Sequence, residues 1–517
     1  MTEGHQNHNE HRVSVAAVEN RIHADSLSTE CPMKTGTINM ENLMALPNIA
    51  NHKKQRKNYI DLCGKIACAS IKCLEKFKDV AVHHIKHAYS AQARRGTDTK
   101  FVGMIYTNSN ESAEMEEIMK EIHSKYVPCN DGKCSSLATV GDQGTVERGV
   151  NVLLQLSNGF DEVEWLDGLQ LEVGDFHAGM KFLQFGYDQF YNAKSVMDKC
   201  TIFSDRTLVN RRNVVTDVSK RFDANKKFLL LEVHARIVAA FLVILGIKDI
   251  EEQPSEGILP KYICSKSKKR EYFHGLCSRV ADEYVLNADK NGDLLKKQAY
   301  SDWLKSVNPK TQDGRFACRE VGCSKAFTFD GKARLNNEKS HRLHKGKDEI
   351  EKKNSDIDAM FNYQRSLFDF GAIVLNFYDA ISEGDGARLV RCWKFMLPYL
   401  KADGPKSRKY ALEALYLIIQ VEAFLSQKDA HRLIWNRFHK SIESCGSNIP
   451  MDLMIEHNKN FMKNAIRSLG PNSTNKKAVD RIAKAVTVTK KLVDNLTVGV
   501  ISIKGQVSTL KHQQRRT

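Results

Sequence analysis

The sequence has no long apolar stretch free of charge. The nearest approach, "FLLLEVHARIVAAFLVILG" at 228–246, carries Glu232, His234 and Arg236 at its middle. Charges at mid-span are costly in a bilayer. Glu232 and Arg236 stand at i,i+4, where they pair on one helix face. The segment is therefore read as a core helix ending at Gly246, and a soluble protein is expected. The opening "MTEGHQNHNEHRVSV" lacks an apolar h-region, so no secretory signal is expected either. The 13 cysteines do not form an even set. An odd count without a signal argues against a disulfide frame and for a reducing compartment, with thiols or metal ligands. No internal repeat appears beyond a twice-used Val-Gly-Asp.

What is present is length, core material and positive charge. The 517 residues suffice for about two to four domains. Hydrophobic residues make up 42% and the formal net charge is +16. That balance favours polyanionic partners such as nucleic acid. The organisation reads as a disordered tail over 1–50, a basic helical region over 51–127 and an α/β core over 128–255. A basic insertion follows over 256–350, then a helical half over 351–470 and a basic tail over 471–517. Cys63, Cys68 and Cys73 are five apart and spiral around a helix, so they are read as small buried hydrophobes.

The α/β core holds the repeated motif. In "SSLATVGDQGTVERG" an apolar run ends in Val-Gly and Asp142; in "LQLEVGDFHAGM" the same ending precedes Asp175. After Asp142, Val146, Val150, Leu153 and Leu154 follow helical spacing, while Leu169, Leu171 and Val173 alternate with polar residues as in a strand. The segment 136–191 thus predicts strand, Asp, helix, strand, Asp, helix. Such a crossover makes the strands parallel and puts both Asp residues at one edge, where α/β sheets bind ligands. Each Asp alone reads first as a helix cap. Two at one edge repel unless a cation such as Mg²⁺ or Mn²⁺ lies between them. A third acid has several sources: Asp452 or Glu456 in "NIPMDLMIEHNKN", Glu383 or Asp385 in "AISEGDGARLVRCW", and Glu413 inside the apolar 410–425. On the 448–470 helix Asp452 and Glu456 read as a solvated face; Glu413 reads as exposed at a gap or paired; "GDG" at 384–386 reads as a turn and cap.

A second candidate lies at 316–344. Phe316, Cys318, Cys323 and Phe327 have the spacing of a two-Cys, two-His zinc finger. The first His should fall near 336 or 337, and both are Asn; His341 and His344 remain as nitrogen donors. The set Cys318, Cys323, His341 and His344 is the candidate Zn²⁺ site, and a metal-free Cys hairpin is the alternative. Cys129 and Cys134 share the five-residue offset but have no His pair nearby, so they are read as thiols. Three basic elements could face phosphate: "LVNRRNVV" with Arg211 and Arg212, "SKSKKR" with Lys268, Lys269 and Arg270, and "HQQRR" near the C-terminus. Arg211 and Arg212 are favoured, because they fall near the acidic edge.

Taken in order, "GDQGTVERG", "GDFHAGM", "LVNRRNVV", "FACREVGCSKAFTFDGKARLNNEKSH", "EGDGARLVRCWKFMLPYL" and "NIPMDLMIEHNKN" resemble the serial motifs of a domain-of-unknown-function family. It occurs in many animal and fungal proteins, often in lineage-specific expansions. That family looks like a relic of cut-and-paste transposases with an RNase H-like core and a helical insertion. The resemblance covers roughly 100–470 and implies an α/β, predominantly helical fold: a small mixed or parallel sheet, RNase H-like, with a large helical insertion and a helical C-terminal half. It implies DNA as partner, a nuclear location, and Asp142, Asp175 and Glu456 as first, second and third acids of a Mg²⁺- or Mn²⁺-dependent nuclease or strand transferase. The chain departs from it by placing only 32 residues between the first two acids, and by Asn336 and Asn337 where the family's finger supplies a His. The alternatives are a non-catalytic nucleic-acid binder and a helical scaffold. The enzyme reading requires the three acids to converge, the binder reading requires a continuous positive face, and the scaffold reading requires neither.

Overall fold

The computed structural model describes residues 13–31, 45–255, 259–260, 265–286, 311–318, 323–327, 359–403 and 407–468, with 477, 481 and 485. Helices dominate, and the described strands pair two by two. No larger sheet of the RNase H-like kind joins these pairs among the described residues.

The predicted β–α–β unit is present. Strand β5 (Leu137–Gly141) runs parallel to β6 (Leu169–Val173), with Gly141 opposite Val173. Helix α4 (Gln143–Leu156) makes the crossover, and α5 (Asp175–Phe190) leaves from the end of β6. Val146, Gly149 and Val152 point inward from α4; Ala178, Phe182, Leu183 and Tyr187 do so from α5. This follows from apolar residues recurring every three to four positions after each Asp.

The other described segments surround this unit mostly with helices. Along the chain come α1 (Ile49–Ser70), the short α2 (Ser90–Ala93), α3 (Ser112–Tyr126), α6 (Ile202–Leu208), α7 (Phe222–Leu245) and α8 (Lys266–Val280). Beyond these are α9 (Ala359–Glu383), α10 (Gly386–Ala402), α11 (Arg408–Ile419), α12 (Gln427–Trp435) and α13 (Met451–Ser468). Among the described residues two large apolar cores result. One gathers β6, α5, α9, α10 and α11; the other gathers α1, α7 and α8. Helix α9 serves both: Phe370, Val374 and Phe377 enter the first, while Phe368, Ala372 and Leu375 enter the second. Burying Phe370, Val374 and Phe377 contributes about 1.5–3 kcal/mol each.

Helix α7 alone among the described helices is long and apolar enough to cross a membrane. Its charge pair forms as predicted, with Arg236 Nη1 donating to Glu232 Oε2 at 2.6 Å, and it ends at left-handed Gly246. Phe228, Leu229, Val233 and Phe241 are buried against the protein's other helices. Cys63, Cys68 and Cys73 are buried small hydrophobes, as expected.

Two expectations are corrected here. The first 50 residues are not all tail: β1 (Val13–Val18) pairs antiparallel with β2 (Thr99–Ile105). Arg21 then fastens the segment, donating to Asn448 Oδ1, Phe438 O and Ala93 O at 3.0 Å each. A six-residue strand carries too little pattern to stand out in a polar tail, and its partner lies over 80 residues away. Cys129 and Cys134 are also not separate thiols; they are joined in a disulfide. The sequence between them, Asn130-Asp131-Gly132-Lys133, makes a two-residue turn with Asp131 and Gly132 both at positive φ, pairing β3 (Cys129–Asn130) with β4 (Lys133–Cys134). An Asp-Gly turn of this hand is the favoured hairpin closure, and it sets the two Cα atoms 4.1 Å apart.

Candidate functional site

The two Asp residues stand at one edge, as the parallel pairing requires, but in opposite environments. Asp142 is exposed and caps α4, its Oδ1 accepting from Thr145 N at 2.8 Å. Asp175 is buried, 2% exposed, and it is not a cap. Its Oδ2 accepts from Arg437 Nε and its Oδ1 from Arg437 Nη2, both at 2.8 Å. Trp393 Nε1 donates to Oδ1 at 2.8 Å as well. Burial pushes the Asp175 carboxyl up, while Arg437 and Trp393 pull it down. A carboxylate held by a forked guanidinium and an indole has little left for a ligand. Arg437 Nη2 also ties to Val173 O at 3.0 Å, so this pair locks the end of β6.

The cap of α5 comes from 276 residues away. Asp452, in the first turn of α13, accepts from Phe176 N at 3.0 Å, and from His177 N and His177 Nδ1 at 3.1 Å. A carboxylate at a helix N-terminus is doubly favoured, by the orphan N–H groups and by the dipole. Asp452 is therefore buried, not on the solvated face the 448–470 pattern suggested. Its hydrogen bond holds the His177 imidazole above its usual range, with Asp142 and Glu456 adding to the field. Gly174 explains the middle letter of the second motif: a Cβ there would lie 2.4 Å from Asp452 Cγ. Gly174→Ala therefore has to push Asp452 off the helix end. We expect a loss of about 1–3 kcal/mol, read as a lower melting midpoint, with the His177 pKa falling back toward its usual value in histidine NMR titration.

Glu456 lies one turn beyond Asp452 and is half-buried, 3.5 Å from Lys459 Nζ. Glu413 matches neither alternative foreseen for it. It is 7% exposed on α11, and its Oε1 has no hydrogen-bond partner. Burial, together with Asp452, Asp142, Asp175 and Glu147, pushes its carboxyl up to about 8. Leu412 beside it is exposed, so 410–425 is a helix with a solvent face and not a fully enclosed one. Asp385 does cap α10, accepting from Arg388 N at 3.1 Å.

The edge thus sets Asp452, Asp142 and Glu456 in the field of His177, and Asp452 and Asp142 in that of the buried Glu413, with Asp175 ion-paired beside them. Neither Asp142, Asp175 and Glu456 nor Asp142, Asp452 and Glu413 have ligand atoms that all lie within 4.8 Å of one another. Among the described residues, the group whose ligand atoms all lie within 4.8 Å of one another is His123, Cys129 and Cys134. Nothing local in the sequence marks Asp452 or Glu413 as the acid that returns to the edge.

Next to the acids is a basic concavity of about 530 Å³, lined by Arg211, Lys220, Arg221, Phe222 and Lys227 among others. It adjoins the edge through aromatic contact: Phe222 packs edge-on against Phe176 at 5.0 Å, and Phe176 N is bound to Asp452. Arg212 is exposed, its Nε donating to Asn210 Oδ1 at 3.0 Å. Lys268 and Arg270 are exposed on α8, whereas Lys269 pairs with Asp79 at 2.6 Å. Phe316 and Ala317 pair with Phe327 and Ala326 as the predicted Cys hairpin, with Cys318 buried and Cys323 half-buried. His341 and His344 lie outside the described residues.

A family model described as a family of unknown function, DUF6589, matches residues 59–512. No curated protein and no solved structure matches the chain.

Proposed function

Because the chain belongs to the DUF6589 family of unknown function, we propose its activity from its own geometry: divalent-cation-dependent chemistry on nucleic-acid phosphodiesters, at the edge formed by Asp142, Asp452 and Glu413. The observation that carries this is Glu413. A buried carboxyl with an orphan oxygen, raised to about 8 partly by neighbouring acids, is a site short of positive charge. Asp142 and Glu413 offer hard oxygens of the kind Mg²⁺ and Mn²⁺ prefer, while Asp452, both of whose oxygens accept from the α5 end, positions His177 beside them. When bound, such an ion neutralises the developing charge on phosphate and activates water.

The chain's own residues supply the rest. Arg211, Lys220, Arg221 and Lys227 offer phosphate contacts, linked to the acids through the Phe222–Phe176 ring pair. His177 holds a proton on Nδ1 against Asp452 and is a proton donor placed at the same edge. Asp175 keeps a structural role. The likeness of the serial motifs to cut-and-paste transposases supports DNA as the substrate class and a nuclear setting. The finger-like hairpin at 316–327 is a second place for nucleic acid or Zn²⁺ to engage.

Asp142→Asn tests the proposal, since Asn caps a helix about as well as Asp and leaves the fold in place. With Mn²⁺ or Mg²⁺, wild type should nick supercoiled plasmid, and the variant should do so at least about 100-fold more slowly. Equal rates exclude Asp142. No nicking by wild type with either ion leaves the second reading, a non-catalytic nucleic-acid binder, which the basic concavity favours. That reading expects charge reversal at Arg211 and Arg221 to abolish a gel shift.

A further inference from the structure

We propose that His123, Cys129 and Cys134 form a Zn²⁺ site when the two cysteines are reduced. The ligand atoms of these residues lie within 4.8 Å of one another. Two thiolates and an imidazole are the soft and borderline donors that Zn²⁺ takes at about 2.3 and 2.0 Å. Hard cations are excluded by the same donors.

Three features show a built site and not a chance meeting. His123, in the last turn of α3, is 3% exposed. Its Nε2 is 2.8 Å from the Asp167 carbonyl oxygen, which leaves Nδ1 as the ligand nitrogen. Metal-binding histidines are characteristically oriented by such a bond from the second nitrogen. The two sulfurs are presented by a hairpin whose Asp131–Gly132 turn fixes their register. The backbone of that hairpin is itself held, with Cys134 N donating to Glu162 Oε2 at 2.9 Å and Ser135 N to Pro128 O at 2.8 Å. Solvent supplies the fourth donor. The ion would pin the end of α3 to the hairpin that leads into β5, the strand whose end carries Asp142.

The disulfide present in this structure is the oxidised form of the same pair. A phosphine attacks one sulfur and breaks the S–S bond, and water then supplies the protons of the two thiols and the oxygen of the phosphine oxide. Zn²⁺ then displaces the two thiol protons to solvent as it binds. The cysteine count and the expectation of a reducing compartment make the dithiol the form to test.

The experiment uses the full chain carrying Cys318→Ser and Cys323→Ser, so that the finger-like hairpin is silent. After reduction it is titrated with Co²⁺ alone. One equivalent should produce a thiolate-to-cobalt charge-transfer band and the visible bands of a four-coordinate ion, and Zn²⁺ should bleach both. The oxidised chain should show neither. Cys129→Ser should remove about half of the charge-transfer intensity, and His123→Gln should weaken affinity by about tenfold or more while shifting the visible bands. Circular dichroism of each variant checks that the chain is folded. Absence of the band in the reduced parent, or an undiminished band in Cys129→Ser, overturns the site.

Discussion

Arg437→Met should destabilise the protein by about 3–5 kcal/mol, and Asp175→Asn by a similar amount. The guanidinium fork on Asp175 is 3% exposed and the carboxyl 2%. Removing either partner strands a polar or charged group in a dry interior, which is what such losses measure. The Met side chain also drops the bond to Val173 O, so the end of β6 loosens. The double variant should recover part of the loss, because both members of the buried pair are then neutral. A double-mutant cycle by denaturant unfolding should give a coupling of about 2 kcal/mol or more. The same experiment decides what Asp175 is for. If Asp175→Asn loses activity only in proportion to its unfolded fraction, the residue is a structural anchor. Additive losses in the cycle would show that the pair is not a unit.

Glu413→Gln should have the opposite sign in the absence of metal. The folded chain holds the Glu413 proton up to about pH 8, while the unfolded chain releases it near pH 4.5. Between these values the unfolded state binds fewer protons, so wild-type stability falls as pH rises through the window. Below it both states are protonated and nothing is lost. Gln removes that slope. At pH 8 in chelator the variant should be more stable by about 2–4 kcal/mol, which thermal unfolding at pH 5 and pH 8 would show as a gap that opens with pH. Adding Mg²⁺ or Mn²⁺ should stabilise wild type at pH 8, with proton release on binding, and leave Glu413→Gln unmoved. Equal responses to the ion in both proteins would remove Glu413 from the cation site.

The two buried acids at this edge respond differently because their neighbours differ. Burial raises both, but Asp175 has a cation and an indole that pull it down, while the charges beside Glu413 are acids that raise it further. Residues near each in sequence do not announce this. Asp175 follows the same Val-Gly as Asp142, yet one is exposed and caps its helix while the other is buried and ion-paired. The third acid was open among several because the spacing on α13 cannot tell a solvated face from a cap for a distant helix. The disulfide had a local signal, Asp-Gly between two cysteines. His123 had none, since it comes from the end of a separate helix.

Periodicity belongs to the chain alone, and from it the sequence determined the helices, the strand–Asp–helix unit, the parallel pairing and the shared edge. These follow from which neighbours within about seven residues are apolar, and no distant contact is needed to set them. The tertiary structure alone decided which carboxylate is neutralised, which is orphaned and which caps α5. Those outcomes depend on Trp393, Arg437 and Asp452 arriving from 218, 262 and 276 residues away. Charge energies in a dry interior are set by distance in space, and sequence separation carries no information about it.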